Sequence, residues 1–483
     1  MGAQPFPPKS DQDRWTAAYA GLVGVWLGIA LLKFGNPVIL DRLIAPPTDL
    51  FELVYQSWPV QWGYVMLAGL VVAAVPLARF RVDVPRWMVW LPLVWVGWQL
   101  VASGRTVSPQ LTSAVVKHFV SCVAGFYLGL FVLSRARRTD WFQAALLAAL
   151  AWVIWQGLDQ HFGGLEATRQ YVRSQPNWQQ LPAEYLKKLE SNRIFSTLVY
   201  PNALAGAMLL LLPMGLAGLW RLSGRLSLVT RWMLVGVLGL GGLGCLYWSG
   251  SKSGWLIALL MGLVAFLRLR LSRAAKVGIV GAVLVLGLAG FFLKFSPYFQ
   301  RGATSVSARF DYWRAGLQIA RQNPVFGTGP GTFSVGYAKI KAPESEMTRL
   351  THNDCLEQAC DSGLVGFLSY TAFVLGSVGL LYRKVKTADW FWFAVWMGVC
   401  AWALQGLVEF GLYIPALAWP AFVFVGWLWG TQDPLKSVSE ARFEAPSSKI
   451  KLQNKSQVPS SKPSRSAASR RIWHWALGGS FAL

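Results

Sequence analysis

The sequence predicts an all-α protein, a polytopic membrane helical bundle of about twelve membrane helices, with one large polar loop that contains short helices of its own. Three observations predict this. Of 483 residues, 54% are hydrophobic and only 14% are charged, whereas a soluble domain carries about a quarter charged residues. The apolar residues gather in continuous runs, most of bilayer-spanning length (about 17–25 residues), which also argues against an alternating-strand barrel. Lys and Arg recur in every second loop, the imprint of the positive-inside rule.

The runs fall in order at 15–32, 60–78, 87–102, 111–133, 141–158, 198–220, 232–248, 255–267, 277–295, 364–382, 390–408 and 412–429. The eighth is short for a full crossing. Arg79, Arg81 and Arg86 follow the second run, and Arg135, Arg137 and Arg138 the fourth. Arg221, Arg225 and Arg231 follow the sixth, Arg268, Arg270, Arg273 and Lys276 the eighth, and Arg383, Lys384 and Lys386 the tenth. The intervening loops are short or mixed in charge. This alternation places the N-terminus in the cytoplasm and puts the loops 159–197 and 296–362 on the opposite side. The formal net charge of +23 follows mostly from the same rule. An anionic ligand would also use it, so total charge alone says little about a substrate.

The first residues, Met1 to Arg14, are polar and mixed in charge, and no small-residue cleavage site follows the first run. That run is expected to stay as an uncleaved anchor. Residues 1–430 therefore read as the transmembrane domain. Residues 431–471 are rich in Ser, Pro, Lys and Arg and read as a disordered basic cytoplasmic tail able to touch anionic lipid. Residues 472–483 turn apolar again, like the start of a further membrane helix, and fit truncation of a longer chain. Cys122, Cys245 and Cys400 lie inside apolar runs as packing residues. Cys355 and Cys360, five apart, would sit on different faces of a helix and too far apart for a disulfide. Neither a Cys/His metal cluster nor an Asp-x-Asp pair stands out, so no metal and no cofactor are expected.

The polar residues that could carry chemistry concentrate in the loops. His118 lies in an apolar run and reads as packing. His161, at a helix end, and His474 read as incidental. His352 lies in the large loop just before the chain re-enters an apolar run. An imidazole there can exchange protons and serve as a general base near neutral pH, and a plain surface histidine fits the pattern equally well. From Ser307 to Gln322 an amphipathic helix is predicted. Phe310, Trp313, Leu317 and Ala320 share its apolar face, Arg314 and Arg321 share another, Ser307 is the N-cap, and Asn323-Pro324 the stop. Such a helix could rest its Arg residues on lipid phosphates or present them to a diphosphate.

Gly327-Thr-Gly-Pro-Gly is a sharp turn but no P-loop, since no Lys-Ser/Thr follows at the required place. Lys252, in Ser249-Gly-Ser-Lys-Ser-Gly, is a cation at a helix N-terminus, where the dipole helps to hold an anion. Glu409, at the end of an apolar run, has no evident partner in the sequence and is flagged as an intramembrane carboxylate.

These residues together resemble the O-antigen ligase and polymerase superfamily of bacterial envelope proteins. Arg193-Ile-Phe-Ser-Thr-Leu-Val-Tyr-Pro-Asn-Ala-Leu-Ala is similar to its Arg…Pro-Asn-x-x-Ala signature, and Ser249-Gly-Ser-Lys-Ser-Gly to its Ser-Arg-Ser/Gly turn. Arg309 to Trp313 with Pro324-Val-Phe-Gly-Thr-Gly-Pro-Gly-Thr-Phe resembles its Arg-x-x-x-Trp…Pro-x-x-Gly-x-Gly-x-x-x-Phe stretch. Thr351-His-Asn-Asp-Cys-Leu followed by Asp361-Ser-Gly-Leu-Val-Gly resembles its His-Asn-x-x-Leu…Glu-x-Gly-x-x-Gly ending. The resemblance covers roughly 193–366. Each motif is short, but their order and spacing are specific together. Two positions depart from the pattern. Lys252 stands where Arg is usual, which would turn a bidentate phosphate contact into a point charge. Asp361 stands where Glu is usual.

The resemblance implies a glycosyltransferase that needs no metal. It would move a glycan from an undecaprenyl-diphosphate carrier to an acceptor hydroxyl at the periplasmic face of the bacterial inner membrane. The implied partners are that donor, lipid A-core or another hydroxyl acceptor, and the bilayer, with no nucleic acid. His352 would be the catalytic base. Arg309, Lys252 and Arg193 would hold the diphosphate, with Arg314 a weaker candidate because it could face lipid head groups instead. Ligase, polysaccharide polymerase and protein O-oligosaccharyltransferase share this chemistry. The long second loop and the His-Asn ending lean toward a ligase. A polytopic transporter is the competing class, but it would be expected to carry polar sites near the midplane. A peptidoglycan-type polymerase would need a loop acid, for which Asp311 or Asp354 could be offered.

Overall fold

The computed structural model describes residues 11–431, apart from 81, 175–177, 181–185, 187–189, 301–303 and 344. The basic tail beyond 431, the 472–483 segment and the first ten residues lie outside the described residues. Among the described residues there are sixteen α-helices and no strand. In chain order they are α1 (Asp11–Lys33), α2 (Leu50–Tyr55), α3 (Val60–Ala74), α4 (Arg86–Ser103), α5 (Pro109–Phe131), α6 (Asp140–Asp159), α7 (Leu165–Ser174) and α8 (Pro201–Leu222). Then come α9 (Leu228–Trp248), α10 (Lys252–Leu267), α11 (Arg273–Gln300), α12 (Thr304–Gln322), α13 (Phe333–Ile340), α14 (Asp354–Val385), α15 (Trp390–Gln405) and α16 (Pro415–Gly430).

Each apolar run of the sequence falls on one of these helices. Among the described residues, seven candidate spans are long and apolar enough to cross a membrane, and four shorter apolar helices, α3, α10, α15 and α16, accompany them. Two helices mark the extremes of packing. Every residue of α16 is buried, as befits a helix that is apolar all round. In α11 the most apolar eighteen-residue stretch is 0% buried inside the protein, so that stretch meets the surroundings.

Small residues let the central helices touch backbone to backbone, as membrane bundles require where apolar side chains gain little by leaving lipid. A Cβ on Gly426 of α16 would collide with the Phe126 carbonyl of α5, and one on Gly129 of α5 with the Val423 carbonyl of α16. Trp419 of α16 stacks on Trp26 of α1 with centroids 4.9 Å apart. Its indole N–H donates to Ser121 Oγ of α5 at 2.7 Å. Gly426→Val is therefore expected to force α5 and α16 apart at an overpacking cost of about 1–3 kcal/mol. The check is a thermal unfolding scan in detergent, and an unchanged midpoint would show that the contact is not close-packed.

The polar end of the bundle is built by α12, α13, the start of α14 and the chain around 406–414. Helix α14 begins ten residues before the apolar run that it carries, and it breaks at Ser362 and Gly363, the latter with φ 67°. The break lets Leu364 N donate to Pro324 O (2.8 Å) while Gly329 N donates to Asp361 O (2.9 Å). The Gly-rich turn thus wraps the kink. Asp361, fully buried, accepts from Gly331 N (2.6 Å), Thr332 N (3.2 Å) and Tyr413 Oη (3.1 Å).

The amphipathic reading of α12 needs correction in register. The helix starts at Thr304, not at Ser307, and stops before Asn323 as expected. Its buried face is Tyr312, Ala315 and Ile319, packed on Phe333, Tyr337 and Cys360. Phe310 and Leu317 are exposed. The reason is that the face is chosen by α13 and α14, which lie against the Tyr312 side. The Phe310 side is left for a cavity.

Candidate functional site

The site centres on Glu409, in the turn after α15. This carboxylate is 4% exposed, and burial without partners would be costly. It has three. Its Oε1 accepts from Asn202 Nδ2 at 2.7 Å and from the Arg309 guanidinium of α12. Its Oε2 lies 3.1 Å from His352 Nδ1. Burial pushes the Glu409 carboxyl up, but the hydrogen bond and charge of His352 and the Arg309 guanidinium outweigh it and hold the acid below its ordinary value.

Arg193 extends the network. It donates from Nη2 to Asn202 Oδ1 and from Nε to Ser249 O, both at 2.7 Å. Burial lowers its guanidinium from the usual value, Glu409 opposes that, and Arg309 adds to it. Arg309 is fixed further by donating from Nε to Val408 O at 3.1 Å. Lys252 is the first residue of α10, with Ser251 as N-cap accepting from Gly254 N. Its ammonium lies 5.4 Å from the centroid of Phe295.

His352 is held in an unusual backbone state. Its φ is 55°, a left-handed conformation that costs a non-glycine residue about 1–2 kcal/mol and that His adopts more readily than most. Neighbouring groups lock it there. Thr351 N donates to Glu357 Oε2 at 2.5 Å. Asn353 caps α14 by accepting from Leu356 N at 3.0 Å. Asp354 N donates to Gly406 O at 2.7 Å, and Asp354 Oδ2 accepts from Leu412 N at 3.1 Å. The segment bearing His352 and the turn bearing Glu409 are thus tied directly. The imidazole stacks on Tyr312 (5.7 Å) and meets the edge of Phe410 (4.8 Å).

Glu357 is 1% exposed, and its second oxygen finds no protein partner. Glu357→Gln keeps an acceptor for Thr351 N and is expected to preserve function. Glu357→Ala frees the left-handed turn and is expected to lower turnover about tenfold or more, the equivalent of one buried hydrogen bond. Equal activity of the two variants, in preparations of equal thermal stability, would show that the tie is unimportant.

Two cavities share a wall made of Arg193, Asn202 and Glu409. One, of about 380 Å³, is lined by Lys252, Arg309, Phe291, Phe310 and Trp313 beside that wall. The other, of about 600 Å³, is lined by His352, Tyr200, Phe195, Phe410, Asn36 and Gln405. The cations and the imidazole therefore face adjoining spaces across one ionised carboxylate. Four of the five residues singled out in the sequence, His352, Arg309, Lys252 and Arg193, come together here. Arg314 does not: its side chain is 82% exposed and pairs loosely with Asp311 at 3.6 Å. Asp354 is buried beneath the site with its backbone ties, and Asp311 lies by Arg314 and Ser345.

Sequence reasoning flagged Glu409 without a partner and quoted Asn202 without a role. An acid at the end of an apolar run was the available signal for the first. The Pro-Asn signature was the signal for the second.

Helices without strands among the described residues, several of them membrane-spanning candidates, with three cations and a carboxylate–histidine pair gathered at one end, define the class: a multi-pass membrane protein with a candidate site at one end of the bundle. Residues 237–371 match the family model described as O-antigen ligase. A Haemophilus influenzae protein described as uncharacterized is 25% identical over 162 residues, covering 29% of this chain and 41% of that relative. The chain thus spans less than half of that relative's length. The matched family segment holds Lys252, Arg309 and His352. Arg193, Asn202 and Glu409 reach the same site from outside it.

Proposed function

We propose that this chain is a glycosyltransferase that moves a glycan from undecaprenyl diphosphate to an acceptor hydroxyl at the periplasmic face of the bacterial inner membrane. The observation that carries the reading is the shared wall: a cation-lined cavity on one side, the His352–Glu409 pair on the other. The diphosphate takes the cavity of Lys252, Arg309 and Arg193, whose positive charges match its oxygens. The acceptor takes the cavity of His352. Because Glu409 accepts the proton of Nδ1, the lone pair of Nε2 is left as the base, a tautomer assigned from the hydrogen bond.

The acceptor oxygen attacks the anomeric carbon and passes its proton to Nε2. The bond between that carbon and the diphosphate oxygen breaks, and its electron pair leaves with the diphosphate. The cations stabilise the charge that develops there, and Glu409 stabilises the imidazolium. No nucleotide or metal enters these steps.

Transfer is tested by reconstituting the protein with polyprenyl-diphosphate-linked glycan and an acceptor. Released polyprenyl diphosphate should appear in step with glycosylated product. In cells, deletion should make lipid-linked glycan accumulate. Long chains would mark a ligase, and single repeat units a polymerase. An unchanged pool of every lipid-linked glycan would point to transport instead.

A further inference from the structure

We infer that a third cavity, next to the cation cavity, is a saccharide subsite for the part of the donor glycan beyond its first sugar. This rests on the proposed function, which supplies a glycan to be bound. The cavity holds about 500 Å³ and is lined by His161, Glu166, Arg169, Asn192, Trp248 and Lys294 among others. It shares Gly250 with the cation cavity. Gly250 has φ 62°, and a Cβ there would lie 3.2 Å from Arg193 Nε. Gly250 therefore lines both cavities beside the Arg193 side chain, and a chain leaving the diphosphate past this residue reaches the third cavity.

The lining is built for the task by an unusual backbone. Helix α6 runs into a π-turn, Gln160–Gly164, in which Gly163 takes φ 140°. Such turns concentrate at functional sites because they re-aim side chains. Here Gln160 is buried and locks the turn: its Oε1 accepts from Phe195 N (3.0 Å) and Ser196 N (2.7 Å). His161 is thrown outward, flat on Trp248 with ring centroids 3.9 Å apart and planes at 17°. The edge of Phe162 closes that stack at 5.9 Å from Trp248.

Across the cavity Lys294 of α11 holds its ammonium 3.0 Å from the centroid of Tyr247 and donates to Tyr247 O at 2.7 Å. Arg169 is anchored by Glu166 (2.9 Å) and by Asn192 Oδ1 (2.7 Å). That leaves an aromatic surface ringed by an ammonium, a carboxylate and an amide. A pyranose offers the complement, an apolar C–H face and a rim of hydroxyls, and sites that orient ligands combine these same two elements. None of His161, Trp248 and Lys294 touches the proposed reacting atoms.

The test compares two donors in the reconstituted enzyme: polyprenyl diphosphate bearing one N-acetylhexosamine, and the same lipid bearing a pentasaccharide. Trp248→Ala and Lys294→Ala should each raise KM for the long donor about tenfold while leaving kcat unchanged. Neither should alter KM for the one-sugar donor. Trp248→Phe, which keeps an aromatic surface, should restore most of the loss and excludes simple misfolding. Equal changes with both donors, or no change with either, would overturn the subsite. Failure of the unmodified protein to transfer from either donor would instead overturn the glycan-transfer reading, and the subsite with it.

Discussion

His352→Ala is expected to give a protein that inserts and folds but transfers glycan at least 10²-fold more slowly, in line with the loss of a general base, which contributes about 10²–10⁴-fold. The fold should survive because the ring's contacts are local, to Tyr312 and Phe410. Glu409 also keeps the Arg309 ion pair and the Asn202 hydrogen bond, so no buried charge is left alone. Turnover per molecule would be measured in protein whose size-exclusion profile and thermal midpoint match the unmodified chain. Activity within a few-fold of the original would remove His352 from the chemistry. The left-handed backbone at 352 makes a second readout informative. If the ring acts only as a spacer, His352→Asn, which also tolerates that conformation, would restore activity. If the ring is the base, it would not.

What was legible in the sequence had a local cause. Long apolar runs must be helical in lipid because every backbone polar group needs an internal partner, and each run lies on a helix here. The loop motifs were legible because glycine, proline and asparagine mark fixed backbone shapes. Asn323-Pro324 ends α12, and the Gly-rich turn folds against the kink at Gly363. The register of α12 was not legible, since two of its faces are apolar and the choice between them belongs to α13 and α14. The centre of the site was hidden for a related reason. Glu409 meets Arg309 and Asn202 across separations of 100 and 207 residues, and nothing in the order of residues announces that pairing. Arg314 is the opposite case. Its place on a motif-bearing helix made it a weaker phosphate candidate that could face lipid head groups instead, and its side chain is 82% exposed and outside the cavity lining.

The Glu409 substitutions should separate its two duties. In Glu409→Ala, the guanidiniums of Arg309 and Arg193 lose the one carboxylate that they share, beside Lys252 in the same cavity wall. Removing one partner of a buried ion pair typically costs about 3–5 kcal/mol, so this variant should be less stable and should bind donor poorly as its cations spread. Glu409→Gln keeps the volume and an acceptor for Asn202 but loses the charge that orients and stabilises the imidazolium. Its donor KM should stay near the original while kcat falls by about 10²-fold or more. Stability against pH gives an independent check. The Glu409 carboxyl is held below its ordinary value, so its stabilising contribution is present above the unfolded pKa and is lost as pH falls through the lower, folded one. The unmodified protein should therefore lose more stability on acidification than Glu409→Gln. Parallel stability curves for the two, or an Ala variant with unchanged midpoint and KM, would show that the carboxylate does not hold the cations in place. On the proposed function, one wall holds the leaving-group cations on one side and orients the base on the other, so a single side chain would link donor binding to proton transfer, and the split between the Ala and Gln variants measures that linkage.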